Sequence, residues 1–305
     1  MSPVIIPENL PASEQLTLEN IFVMNSKRAT SQDIRPLRIV ILNLMPTKIA
    51  TETQILRLLS NNLIQIELTF LTMASHQSKN TPKSHLDTFY TTFEEIYNKR
   101  FDGLIVTGAP VELLDFQQVD YWKEFTEILD WANENVFSSL FICWAAQGAL
   151  YHYYGIHKRR LKEKLSGIYS HKVLNKTAKL TRGFDDVFDA PHSRYTEVIK
   201  EEVLAVEDLE ILAESPLAGP HIMANADRRR IFVTGHPEYD PETLKLEYLR
   251  DIGKGLDIQV PHCYFPENDP MREVQVTWRG HANLLYSNWI NYYVYQETEY
   301  DLDKK

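Results

Sequence analysis

Ser138-Ser139-Leu140-Phe141-Ile142-Cys143-Trp144-Ala145-Ala146-Gln147-Gly148-Ala149-Leu150-Tyr151 is apolar up to Cys143 and alanine-rich after it. The first half reads as a short buried strand and the second as a helix. A nucleophile at such a junction is held on a sharp turn above the carboxyl edge of a parallel sheet. The unpaired amides and positive dipole end of the following helix favour a thiolate there. Position alone is equally compatible with a buried structural cysteine, which packs as a small hydrophobe.

The flanking sequence alternates strands and helices. Leu37 to Leu44 is a nearly continuous apolar run, as expected of a strand covered on both faces. A turn at Met45-Pro46-Thr47-Lys48 leads to a helix with Ile55, Leu56, Leu58 and Leu59 on one face, and Ile64 to Phe70 alternates as a strand. A polar loop at 75–85 and a helix over Leu86 to Tyr97 precede a strand at Asp102 to Thr107, which ends in Gly108-Ala109-Pro110. A helix carrying Tyr121, Trp122, Phe125, Ile128 and Leu129 then leads to the cysteine strand. This is the pattern of an α/β fold with a doubly wound, mostly parallel sheet, whose strand ends converge on one crevice.

Residues 1–35, with three prolines and little periodicity, read as an extended N-terminal arm. Residues 36–305 read as a single catalytic domain that includes a C-terminal helical extension over Ala282 to Tyr295. After Tyr154 comes a basic surface run, Lys158-Arg159-Arg160-Leu161-Lys162, followed by short strand-like pieces. Arg230 to Gly235 returns to a buried strand and delivers His236-Pro237-Glu238.

The chain has 305 residues, 44% hydrophobic and 24% charged, with a net charge of −10. That balance gives no general attraction to nucleic acid or to an anionic membrane, and Arg228-Arg229-Arg230 reads as a turn before a strand. Two cysteines, Cys143 and Cys263, without a CxxC spacing argue against a disulfide scaffold or a zinc site, so no metal is expected and Cys263 reads as incidental. Neither a signal segment nor a membrane span is recognisable, which points to the cytoplasm. A homodimer is the default assembly for an enzyme of this size.

His236-x-Glu238 lies 93 positions after Cys143 at the end of another buried strand. Together they offer a nucleophile, a base and a carboxylate to orient the base. That combination favours catalysis over a satisfied core histidine.

At this point the sequence resembles the homoserine transacylases, which are built on the flavodoxin-like fold of the class I glutamine amidotransferases. The resemblance rests on Glu19-Asn20-Ile21-Phe22-Val23-Met24, Leu42 to Lys48, Gly108-Ala109-Pro110, Ile142 to Gln147, Pro191-His192-Ser193-Arg194, Gly235 to Tyr239 and Ser287-Asn288-Trp289. Glycines flank the cysteine in amidotransferases, as Gly-x-Cys-x-Gly-x-Gln, and Ile142 to Gln147 departs from that form.

The resemblance implies a two-step transfer in which Cys143 takes an acyl group from acyl-coenzyme A and the alcohol of homoserine, activated by His236, removes it. No cofactor stays bound; acetyl-coenzyme A is the expected co-substrate. By the same resemblance Arg250 holds the amino-acid carboxylate, Lys164 and Ser193 line the substrate site, and Lys48 helps polarise the acyl carbonyl. The backbone amides of Trp144 and of the Gly108-Ala109 turn are the expected oxyanion donors. Glu112 follows Gly-Ala-Pro-Val, where the family carries glutamate with acetyl donors and glycine with succinyl donors. Serine as acceptor, a succinyl donor, a glutaminase and a non-catalytic binder on the same fold are the alternatives.

Overall fold

A computed structural model describes residues 4–19, 23–24, 35–76, 78 and 80–296. The strands are β1 (Val4–Ile5), β2 (Val23–Met24), β3 (Leu37–Leu42), β4 (Ile66–Leu71), β5 (Tyr90–Thr91) and β6 (Phe101–Val106). They continue with β7 (Val136–Ile142), β8 (Lys158–Val173), β9 (Val187–Val198), β10 (Leu209–Ser215), β11 (Gly219–Asn225) and β12 (Arg230–Val233). Among the described residues they form one sheet in the order β2-β1-β4-β3-β6-β7-β12-β11-β10-β8-β9, with β5 beside β4. From β2 to β12 neighbours run parallel. From β12 to β9 they run antiparallel.

Both faces of the parallel half are covered, which is why β3, β6 and β7 are mostly apolar. Ile39, Ile41, Leu140 and Ile142 face a layer built from helices Lys48–Leu59 and Arg279–Asn288 and the π-helix Trp289–Tyr295. Val40, Leu42, Phe141 and Phe232 face the opposite layer, with Phe125 of helix Trp122–Asn135 and Trp144 of helix Trp144–Tyr154. The C-terminal extension is anchored directly to the cysteine strand, because Trp289 Nε1 donates to Ser138 Oγ at 2.9 Å. Its indole packs against Gly103, where a Cβ would stand 3.0 Å from the ring.

Several expectations are corrected. The segment read as an extended arm adds β1 and β2 to the sheet edge and buries Leu16 of helix Ala12–Leu18; its residues 1–3, 20–22 and 25–34 lie outside the described residues, as do 297–305. Two-residue strands are too short to leave a period in the sequence. The single helix expected over Leu86 to Tyr97 is instead helix Lys83–Phe89, β5 and a turn of helix at Phe93–Ile96. The basic run opens β8, and the short pieces after it are two long strands, β8 and β9, paired with a bulge between Arg160 and Leu165.

Candidate active site

Three adjacent strands end side by side. β6 leads to Gly108-Ala109-Pro110, β7 to Cys143 and β12 to His236-Pro237-Glu238. Cys143 has φ 52° and ψ −113°, a conformation that a residue with a side chain adopts only when its surroundings impose it. Its N–H donates to the Val233 carbonyl at 2.7 Å, and its carbonyl accepts from the Gln147 N–H at 3.2 Å. The turn is therefore tied to β12 on one side and to its own helix on the other. The backbone N–H groups of Ala109 and Trp144 make no hydrogen bond among the described residues, so both remain free for an oxyanion.

His236 is buried between the other two members of the constellation. Its Nδ1 shares a 2.7 Å hydrogen bond with Glu238 Oε1, Cys143 acts on it electrostatically, and the ring stacks on Tyr239 with centroids 4.1 Å apart. Burial alone would lower the imidazole pKa; the charges of Cys143 and Glu238 outweigh it and hold the pKa well above the ordinary histidine value. A protonated imidazole beside a cysteine is the arrangement that activates a thiolate nucleophile.

Cys143 and His236 open on a cavity of about 500 Å³ whose far wall is helix Thr243–Gly253. Lys164, Ser193, Arg250 and Glu112, all expected from the sequence, line it with Ala109. Lys164 Nζ donates to Asp251 Oδ2 at 2.8 Å, and Arg250 reaches Asp251 Oδ1 through Nε and Nη2 at 2.7 Å each. The guanidinium is half exposed. Burial raises the Glu112 carboxyl pKa, against the pull of Lys164, His236 and Lys158.

Glu247 is the residue the sequence reading missed. Its carboxylate accepts hydrogen bonds from Ser193 Oγ and, at 2.8 Å, from Tyr239 OH, and it lies 3.5 Å from Lys164 Nζ. The available signal was its spacing: Glu247, Arg250 and Asp251 stand at i, i+3 and i+4 on one helix face.

Lys48 is not brought to this cavity. Its ammonium is bound by the Asn43 carbonyl inside the turn after β3 and faces a neighbouring cavity lined by Thr72, His76 and Tyr121. Burial lowers its pKa to about 8. A larger cleft of about 810 Å³ runs behind Pro237 to Glu242, with Glu19, Arg57 and Arg279 on its walls, but Cys143 does not line it. The sequence reading expects no metal; the structure nonetheless groups His171, His192 and His221 in the core with ring nitrogens within 4.8 Å of one another. The fully buried Arg194 guanidinium acts electrostatically on all three and opposes a bound cation.

The sheet order and the cysteine elbow define an α/β protein of the class I glutamine amidotransferase type. Glutamine amidotransferases of Thermotoga maritima and Methylobacillus flagellatus superpose with TM-scores of 0.58 and 0.52 at 13% identity, covering 84% and 85% of this chain and 97% and 95% of theirs. That likeness concerns the fold alone. The family model described as homoserine O-succinyltransferase matches residues 3–300, and the chain belongs to that family of acyltransferases. Relatives named homoserine O-acetyltransferase include those of Brevibacillus brevis, 60% identical over 99% of this chain and 98% of the relative, and Acetivibrio thermocellus, 57% identical over 99% of both. Among the described residues no helix is long and apolar enough to cross a membrane.

Proposed function

We propose that the chain is a homoserine O-acetyltransferase that works through an acetyl thioester on Cys143, in the cytoplasm, where both of its cysteines stay reduced. The observation that carries the mechanism is the Cys143–His236–Glu238 chain opening on the same cavity as Lys164, Ser193, Glu247 and Arg250.

In the first half-reaction the Cys143 thiolate attacks the thioester carbonyl of acetyl-coenzyme A. The oxyanion develops at the amides of Ala109 and Trp144, and the departing coenzyme A thiolate takes the proton held by His236. In the second, homoserine enters with its α-carboxylate against Arg250 and its α-ammonium against Glu247. Its hydroxyl gives a proton to His236 and attacks the acyl carbon, and Cys143 leaves as a thiolate. Glu238 keeps the imidazole in one orientation and offsets its charge whenever it is protonated. Thiol-to-thioester exchange is nearly isoenergetic, so the route divides one difficult encounter into two easier ones.

Acetyl is favoured over succinyl by Glu112. A succinyl carboxylate entering beside it would meet a second carboxylate at roughly 4 Å, a repulsion of about 4 kcal/mol at an effective dielectric of about 20. The family model's description favours the second reading, a succinyl donor. Intact mass after brief exposure to each thioester, followed by a chase with homoserine or serine, decides between them. The expected result is one acetyl group, absent from Cys143→Ala and discharged faster by homoserine. A succinyl adduct formed equally fast would reverse the donor, and faster discharge by serine would reverse the acceptor.

A further inference from the structure

We infer that Arg160 and Lys162, in the bulged start of β8, bind the phosphates of the coenzyme A nucleotide at the mouth of the Cys143 cavity. The inference rests on the thioester-donor reading above and adds the place where the anionic half of the donor is recognised.

From Lys158 to Lys164 the chain carries five Lys or Arg and one Glu, a net charge of 5 − 1 = +4 in a protein of net charge −10. The two ends of that run are fixed at the cavity. Lys158 Nζ donates to the Glu112 carbonyl at 2.7 Å and to the Leu114 carbonyl, both on the lip formed by Val111 to Leu114. Lys164 lines the cavity itself and is held by Asp251. Arg160 follows Lys158 by two residues and Lys162 precedes Lys164 by two, so each lies about 7 Å along the chain from an anchored neighbour.

Their neighbours are engaged and they are not. Arg159 pairs with Glu197 at 2.8 Å, whereas Arg160 and Lys162 are exposed and their side chains make no ion pair or hydrogen bond among the described residues. The ladder breaks just after Arg160. Lys158, Arg159 and Arg160 pair with Val198, Glu197 and Thr196, pairing resumes only at Leu165 with Arg194, and the intervening residues leave the ladder as a bulge.

The cavity suits the other half of the donor. Leu113, Leu114, Leu246 and Leu256 line it while remaining exposed, apolar surface suited to a pantetheine arm. A cavity of about 500 Å³ that already holds the acyl group and the amino acid leaves the diphosphate and phosphomonoester of the nucleotide outside. Two exposed cations within two residues of the anchored Lys158 and Lys164 are the nearest on this run to meet them, and exposed cations attract phosphates over a distance set by salt.

The test compares two acetyl thioesters, acetyl-coenzyme A and S-acetylpantetheine, which lacks the nucleotide. For the double variant Arg160→Glu/Lys162→Glu, the KM for acetyl-coenzyme A should rise about tenfold. Its kcat, its KM for homoserine and its kcat/KM with S-acetylpantetheine should match wild type, and so should its Tm. Raising salt should increase the wild-type KM for acetyl-coenzyme A and leave that of the variant flat. Equal KM values for acetyl-coenzyme A in the two proteins, or equal losses with both thioesters, would overturn the phosphate site while leaving the donor intact. A wild-type protein that transfers acetyl from neither thioester would instead overturn the donor reading, and this inference with it.

Discussion

Gly108 lies so close to His236 that a Cβ added to it would stand 3.1 Å from the imidazole Cε1, and 3.2 Å from the Cβ of Cys143. The glycine after β6 is thus the wall against which the side chains of Cys143 and His236 rest. Gly108→Ala should push the imidazole by a few tenths of an ångström, and misplacement at a reacting centre costs up to about a hundredfold in rate. A fall in kcat of tenfold or more with Tm within a few degrees of wild type is expected from steady-state kinetics and thermal unfolding. Unchanged kcat would mean that the dyad is not held at this contact.

The pKa of His236 lies above its unfolded value because Cys143 and Glu238 overcome the effect of burial. A group raised in this way contributes stability that is fully present below the unfolded pKa of about 6.5 and is lost as pH rises through the folded value. Glu238→Gln removes one of the two charges responsible. Breaking a buried pair from one side costs about 3 kcal/mol, and this deficit should appear in urea unfolding at pH 6 and shrink at pH 9.5. Equal deficits at both pH values would show that Glu238 acts by packing alone.

The sequence carried the parallel half of the fold because burial on both faces leaves continuous apolar runs in β3, β6 and β7. Cys143, His236 and Glu238 were legible for a related reason, since each closes such a run. The edge strands β1 and β2 were not, because a pair of residues has no period. Nor was Glu247, whose helix presents Leu246, Leu249 and Ile252 to solvent and so has no clean apolar stripe to orient it. Lys48 was misassigned to the acyl site because sequence order gives no account of where a long side chain turns; a backbone carbonyl five residues earlier captures it.

Burial lowers the pKa of His171 to about 4 and pushes those of His192 and His221 well below the ordinary value. These depressed groups have the opposite sign from His236. Below about pH 6.5 the unfolded chain takes up protons that the folded core refuses, so stability falls until the folded pKa is reached. Each histidine contributes up to about 1.4 kcal/mol per pH unit. Urea unfolding between pH 4.5 and 7 should give a shallower slope for His171→Gln than for wild type. Parallel slopes would remove this core from the acid response.

Glu112 lines the same cavity as Cys143, and the proposed selection of donor rests on the charge of its carboxylate. Glu112→Gly removes that charge and the bulk that goes with it. Succinyl-coenzyme A should gain roughly two to three powers of ten in kcat/KM, from a repulsion of about 4 kcal/mol. Acetyl-coenzyme A, which carries no charge at that end, should change less than tenfold. Rates with the two donors under single-turnover conditions measure the ratio directly, and a ratio unmoved by the substitution would place donor selection elsewhere.

Glu247 meets the cavity with one carboxylate oxygen on Tyr239 and the other on Ser193, so its charge is fixed in place before any amino acid arrives. An α-ammonium needs such an acceptor, whereas the thioester that acylates Cys143 has no cation to place. Glu247→Gln should therefore leave acetylation of Cys143 by acetyl-coenzyme A within a few-fold of wild type. It should lower kcat/KM for homoserine by about a hundredfold, the loss expected when a charged hydrogen bond worth about 3 kcal/mol is removed. A simple alcohol acceptor without an amino group should be discharged equally well by both proteins. Mass-resolved acetylation and discharge separate the two half-reactions, and a loss confined to acetylation would show that Glu247 serves the donor.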